Sequence, residues 1–417
     1  MNKTLEKAID TVIATLFVLA ILKYFPIFFT LDMFDPIQNT LEEMQISDLV
    51  FSQVRDESLI GMDSNIVLIN NGHLNRAEFA AMLNIIDSYS PKVIAVDAFF
   101  RKEKGEHLDI PLQNACQSID NIILASELYS PNASGSYDSV KYSNPMFADY
   151  ADPGYVNMFI HPNDFRIVRL MTPTQKLRDS TVLSFAVTVA GVFNPKKAKE
   201  FLARGNELEV INFKRNIGKY KTYDFTDIFE IHENSDDLDY LKDKIVLIGY
   251  LGPDLNTKVT EDVFYTPLNE HYVGKTEPDM YGMVIHANSI SMILDGDFIA
   301  RIPDWLSYVL MVAIVLFNMI AFRFFRDNYS GAYQAFTISL IISEIIFFTF
   351  LILFLFHTLN LELRFAGAFF AFLVCVLSFE IYNDSIKRLA RDRYREFVFD
   401  RKRKKAQTEK KATEIKS

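Results

Sequence analysis

Four long apolar runs, one near the N-terminus and three crowded toward the C-terminus, constrain this 417-residue chain more than any other feature. The first covers residues 9–31, IDTVIATLFVLAILKYFPIFFTL. At about 1.5 Å per helical residue it can cross a hydrocarbon layer of ~30 Å. Lys3 and Lys7 precede it, and Lys23 and Pro26 interrupt its end. No small-residue cleavage pattern follows the apolar core, so the run predicts an uncleaved anchor rather than a signal peptide. The later runs are WLSYVLMVAIVLFNMIAF (305–322), AFTISLIISEIIFFTFLILFLF (335–356) and FAGAFFAFLVCVLSFEIY (365–382). Their short connectors, 323–334 and 357–364, force antiparallel neighbours. The expectation is four transmembrane helices, one before and three after a large middle segment, with both termini on one side.

Charge orients this array. The tail 383–417 carries 13 Lys and Arg against 6 Asp and Glu, whereas residues 30–303 hold a net charge of −16. Basic flanks stay inside, so the tail, the 323–334 connector and the N-terminus are expected in the cytoplasm. Residues 32–303 then lie outside, and the polarity fits a bacterial inner (cytoplasmic) membrane with a periplasmic domain. The expected organisation is an anchor (1–31), an extracytoplasmic domain (32–303), three spans (304–382) and a basic tail (383–417). Net charge of −10 argues against a nucleic-acid partner. The two cysteines, Cys116 and Cys375, supply neither a disulfide framework nor a four-cysteine zinc site.

Between the first and second spans, strand and helix signals alternate. NIVLIN (65–70) is followed by NRAEFAAMLNIIDSY (75–89), where Phe79, Met82, Leu83 and Ile86 recur at helical spacing. KVIAVDAFF (92–100) is a strand ending at an acid, and the pair IPLQNACQSID and NIILAS (121–126) follows. YVNMFI (155–160), RIVRLM (166–171), the apolar helix STVLSFAVTVAGVF (180–193) and KIVLIGYL (244–251) complete the pattern, with 223–243 as an acidic insertion. Strands that are apolar throughout, separated by helices, predict an α/β domain with a mostly parallel sheet covered on both faces.

In this order the residues resemble a known family, the CHASE domain of type 2, an extracellular sensory domain associated with cyclases and histidine kinases. The resemblance covers about residues 48–303. It rests on IAVDAFF with Asp97, GYVN (154–157), DFRIVRL (164–170), KIVLIG (244–249), Asp262, Thr266-Pro267 and GMVIHANSISMIL (282–294), followed by three spans. Three departures stand out. Asn70 ends the first strand where the family often has Asp, NGHLNR (71–76) replaces a Trp-Pro-Arg-like segment, and DFRIVRL departs from the usual Asp-Gly-x-x-Arg. The resemblance implies a sensory α/β domain, and its motifs add Asn157 and Arg166 to the ligand-binding candidates.

Side chains at the carboxyl ends of parallel strands face the crevice where α/β domains bind ligands. Asp97 and Asn70 are such residues, and Asp262 with Thr266 follows the last strong strand. Each has a second reading, as a polar strand end or a turn holding loop amides. His286 and Asn288 sit on an apolar helical run; a histidine there is more often a core residue donating one hydrogen bond than a metal ligand. Glu344 lies about nine residues into its span; one reading has it carry a proton or pair with a cation on a partner helix, the other has it protonated and bonded to Asn318 or a Ser of a neighbouring span. Scattered histidines, no phosphate loop and no Gly-x-Ser-x-Gly predict neither catalysis, nor a metal, nor a cofactor. Past the last span Ile386, Leu389, Arg393 and Phe397 suit a basic amphipathic helix against anionic lipid or a partner.

The tail 383–417 is too short for an output enzyme. The expected function is therefore a non-enzymatic sensory subunit that passes its state to a separate membrane or cytoplasmic protein, with homo-oligomerisation open by analogy. The alternative is a structural scaffold subunit of a larger membrane or envelope complex.

Overall fold

The computed structural model describes residues 3–24, 48, 50–131, 137–160, 167–177, 180–234, 238–269, 277–363, 366–389 and 391–393. Two compact units divide the chain, one formed by residues 1–38, 301–355 and 361–417, the other by residues 39–300 and 356–360. Helix α1 (Lys3–Tyr24) belongs to the first.

The other unit is built on a seven-stranded sheet. Its strands are β1 (Ile66–Asn70), β2 (Val93–Val96), β3 (Ile122–Pro131), β4 (Tyr137–Lys141), β5 (Asp152–Tyr155), β6 (Lys221–Asp224) and β7 (Ile245–Gly249). They lie in the order β6-β1-β7-β2-β3-β4, with β5 also on β3. Every pairing is parallel except β3 with β4. The apolar runs ending in Asn70, Val96 and Gly249 are three of the inner strands, buried along their whole length. The mostly parallel α/β sheet is as the runs predict.

Helices α2 (Arg76–Ser88), α3 (Glu106–Ser118), α4 (Phe185–Phe193), α5 (Pro195–Leu202), α6 (Phe225–Glu233) and α7 (Gly282–Asp295) surround it. Asn75 and Glu78 close a reciprocal cap on α2, and Phe79, Met82, Leu83 and Ile86 are its buried face. Arg76 is ion-paired with Asp109 of α3, both buried, which fixes α2 on its neighbour. Alternate residues of a strand face opposite sides. Val67, Ile69, Ile94, Val96, Val246 and Ile248 enter one core with α2, α3 and α6. Asn70, paired in register with Gly249, falls on the other face, where α7 packs on β7.

Three sequence expectations need correction. Residues 223–243 are no insertion: β6 and α6 occupy 221–233 and complete the sheet edge. The strand expected at 155–160 begins at Asp152 and ends at Tyr155. The run 180–193 is helical only from Phe185, because Ser184 caps the helix and Thr181–Leu183 pairs with Thr174–Lys176.

In the first unit α1 is joined by α8 (Asp304–Asn328), by α9 (Tyr333–Leu359) as far as Leu355, and by α10 (Ala366–Ile381). Among the described residues two helices, not four, are long and apolar enough to cross a membrane: Trp305–Asn328 and Tyr333–Leu359. The reasons are physical. Lys7, Asp10 and Lys23 break the apolar character of α1, and the regular part of α10 counts 16 residues before the π-helical turn Tyr382–Ile386 continues it. Helices α1, α8 and α10 pack on one another, with Ala14, Val18, Val315, Met319 and Phe379 buried. Charges meet at one end. Asp10 of α1 accepts from Arg323 of α8, from Lys387, and from Tyr382 Oη at 2.6 Å. Lys7 Nζ is 2.6 Å from Asp327, and Arg326 is 2.5 Å from Asp384. The start of α1, the end of α8 and the stretch after α10 therefore share one end of this unit. The chain is helical through Leu389, while Phe397 lies outside the described residues.

Candidate functional site

The carboxyl ends of β1, β7 and β2 bring Asn70, Gly249 and Asp97 side by side. Asp97 N–H donates to Ile248 O at 2.8 Å, which extends the register one residue past β2. A Cβ on Gly249 would lie 2.8 Å from Met283 Sδ and 3.3 Å from the Asp97 Cβ. Glycine is what lets α7 and Asp97 close over this strand end. Asp262 reaches the same place from the loop after β7. Its carboxylate oxygens lie against Gly282 at the start of α7, and its carbonyl accepts Gly282 N–H at 3.0 Å.

The two acids repel. Burial, with the charge of Asp262 nearby, pushes the Asp97 carboxyl up to about 7. Asp262 exposes more surface, yet partial burial of its carboxyl and the adjacent Glu261 push it up to about 6. Two carboxyls so placed cannot both ionise easily, so near neutral pH the pair offers a proton donor beside an acceptor.

The remaining candidates are tied into the domain. Asn70 donates to Asp224 Oδ1 at 3.3 Å and Gly252 O at 3.0 Å, and accepts from Gly72 N–H and Leu251 N–H. That exhausts an amide side chain. Asn157 pairs with the Leu128 peptide, accepting at 2.7 Å and donating at 3.1 Å. Asn288 accepts from Lys214 N–H and Arg215 N–H and donates to Arg215 O and Val284 O, which holds 214–215 against α7. Thr266 N–H donates to Asp279 Oδ1 at 2.8 Å, and its hydroxyl donates to the other carboxylate oxygen. His286 stands edge-on to Phe185 at 5.3 Å and is hydrogen-bonded to the Val156 backbone. Burial pushes it down to about 4, so its ring is neutral, and among the described residues its Nε2 has no partner. A cavity of about 20 Å³ beside it, also lined by Asn157, has room for one water. Arg166 lies outside the described residues.

The strand ends thus gather Asn70, Asp97 and Asp262; Asn157 and His286 share a separate small cavity; Asn288 belongs to neither group. In the other unit, buried Glu344 accepts from Asn318 Nδ2 at 3.0 and 3.2 Å. Sequence reasoning missed Asp279, pushed up to about 6 by burial against the hydrogen bonds from Thr266 and Asn269. It also missed Asp63, which accepts from Ser291 Oγ at 2.6 Å and is 3.2 Å from Arg215. Asp63-Ser-Asn was a visible turn signal; nothing local marked Arg215 as its partner. Among the described residues no group of three or more His, Cys, Asp and Glu is placed to hold a metal ion.

A family model for the CHASE2 domain matches residues 13–321, well over half of the chain. The chain belongs to the CHASE2 family. The match reaches further at both ends than the resemblance did, taking in part of α1 and most of α8. Searches of curated proteins and of solved structures each return no match. CHASE2 domains are extracytoplasmic sensory domains. The acids at the strand ends suit a ligand that presents positive charge or hydrogen-bond donors.

Proposed function

We propose that this CHASE2 protein is a non-enzymatic membrane sensor subunit. Its residues 32–303 lie outside the inner membrane of a bacterium, its termini lie in the cytoplasm, and a ligand or envelope component binds across Asp97 and Asp262. The observation that carries this reading is the pair itself. Asn70 beside it, and Thr266 and Asn288 elsewhere, are occupied by hydrogen bonds within the domain, whereas Asp97 is raised by burial and the charge of Asp262, and Asp262 by burial and the charge of Glu261. Occupancy would move α7, whose first residue rests on Asp262. The helices of the other unit relay the state to a separate protein, and the ionic joint on Asp10 supports their moving as one body.

A structural scaffold is the second reading. It draws on the same saturation of polar groups, together with a cavity beside His286 no larger than a water. Thermal shift of the full chain in micelles separates the two, with arginine, spermidine and magnesium as probes. The sensor reading expects at least one probe to raise Tm in the wild type, by mass action, and not in the Asp97→Ala/Asp262→Ala variant. A shift of equal size in that variant removes the pair from the site. No shift with any probe favours the scaffold.

A further inference from the structure

The end of the helical unit where charges meet encloses a cleft of about 410 Å³, within the size range of small-ligand sites. Arg323, Arg326, Lys387, Arg388 and Arg391 line it. Asp327 and Asp384 are the acids in its wall, so cations outnumber carboxylates, and Phe379 adds an apolar surface. The inner cations are engaged, Arg323 and Lys387 on Asp10 and Arg326 on Asp384. Arg388 and Arg391 are exposed, and among the described residues neither is held in an ion pair. Arg326 Nη1, 3.6 Å from Glu380, is buried and among the described residues has no hydrogen-bond partner.

Position supplies the second half of the argument. Arg323 and Arg326 occupy the last turns of α8, whose 24-residue apolar stretch can cross a bilayer. A cleft at that helix end sits where hydrocarbon gives way to headgroups, and guanidinium forks match phosphate oxygens in pairs. Basic pockets between helices at this depth suit anionic lipid headgroups.

We propose that this cleft holds the phosphate headgroup of an anionic phospholipid, with Arg388 and Arg391 supplying the outer contacts. The inference rests on the reading that α8 and α9 cross the membrane. Free phosphate shares the chemistry, and the test tells the two apart.

Native mass spectrometry of the full chain in non-ionic micelles measures retention of phosphatidylglycerol against phosphatidylcholine. The wild type is expected to retain phosphatidylglycerol preferentially, and a millimolar excess of inorganic phosphate is expected to leave that complex intact. Arg388→Gln/Arg391→Gln should weaken it about thirtyfold, from two lost surface contacts. Arg388→Lys/Arg391→Lys, which keeps the charge, should restore most of it. Both positions are exposed, so Tm should stay at the wild-type value; a fall in Tm for the Gln variant shifts the decision to the Lys variant's rescue. Equal retention of the two lipids, unchanged binding in the Gln variant, absent rescue by Lys, or displacement by phosphate would each overturn the proposal. Micelles have no sides, so an inverted topology leaves these outcomes unaltered, and a failed lipid preference leaves the topology standing.

Discussion

Asp97 couples the strand-end crevice to pH. Its folded carboxyl titrates near 7 against 3.8 for the ordinary group, so between those values the folded chain binds more protons than the unfolded one. Stability from this group therefore grows as pH falls through 7 and is complete below about 4. Asp262 and Asp279, both near 6, act in the same sense. His286 opposes them, since its folded value near 4 lies below 6.5 and acid favours the unfolded chain there. Asp97→Asn should raise Tm at about pH 8 and flatten its slope down to about pH 5. Melting curves at several pH values check this, and an unaltered slope would remove Asp97 from the coupled pair. Asn288→Ala strips partners from the Lys214 and Arg215 amides, and should cost about 1–3 kcal/mol in chemical denaturation. Asp97 was legible in the sequence because an acid directly after an apolar run marks the carboxyl end of a buried strand. Asp279 was not, because its partner Thr266 lies 13 residues away in the chain and no local pattern joins the two.

Among the elements, β5 and α4 show how close packing replaces sequence signal. A Cβ on Gly154 of β5 would lie 2.6 Å from the Phe185 Cα at the start of α4. Backbone cannot swing aside as a side chain does, so Gly154→Ala should destabilise by about 1–3 kcal/mol. Gly218→Ala, which meets nothing within 4 Å, is the control expected near neutral, and paired unfolding titrations compare them. The inner strands β1, β2 and β7 were readable because burial on both faces demands continuous apolar runs. Edge strand β6, Lys-Thr-Tyr-Asp, carries no such run and read as part of an acidic insertion. The start of α4 was misjudged for a related reason: Thr181–Leu183 is as apolar as a helix face, and only the Ser184 cap separates strand from helix.

For the whole molecule, apolar content located the helical unit, but run length overstated how many described helices are long and apolar enough to cross a membrane. Among the described residues α8 and α9 meet the length and hydropathy of a span; ion pairs bring the start of α1, the end of α8 and the stretch after α10 to one end, so the topology proposed above has α1 and α10 crossing beside them. The ionic joint among Asp10, Arg323, Tyr382 and Lys387 ties α1 to the basic end of α8. The central claim is that a bilayer separates the acidic CHASE2 domain from this basic end. Leu59 is 83% exposed and Arg391 is exposed, while Cys116 and Cys375 are buried. Single cysteines at these two exposed positions, Leu59→Cys and Arg391→Cys, therefore report over a quiet background. In intact spheroplasts a membrane-impermeant maleimide should label Leu59→Cys at once and Arg391→Cys only after permeabilisation. Labelling of Arg391→Cys in intact spheroplasts, with Leu59→Cys protected, would contradict the account.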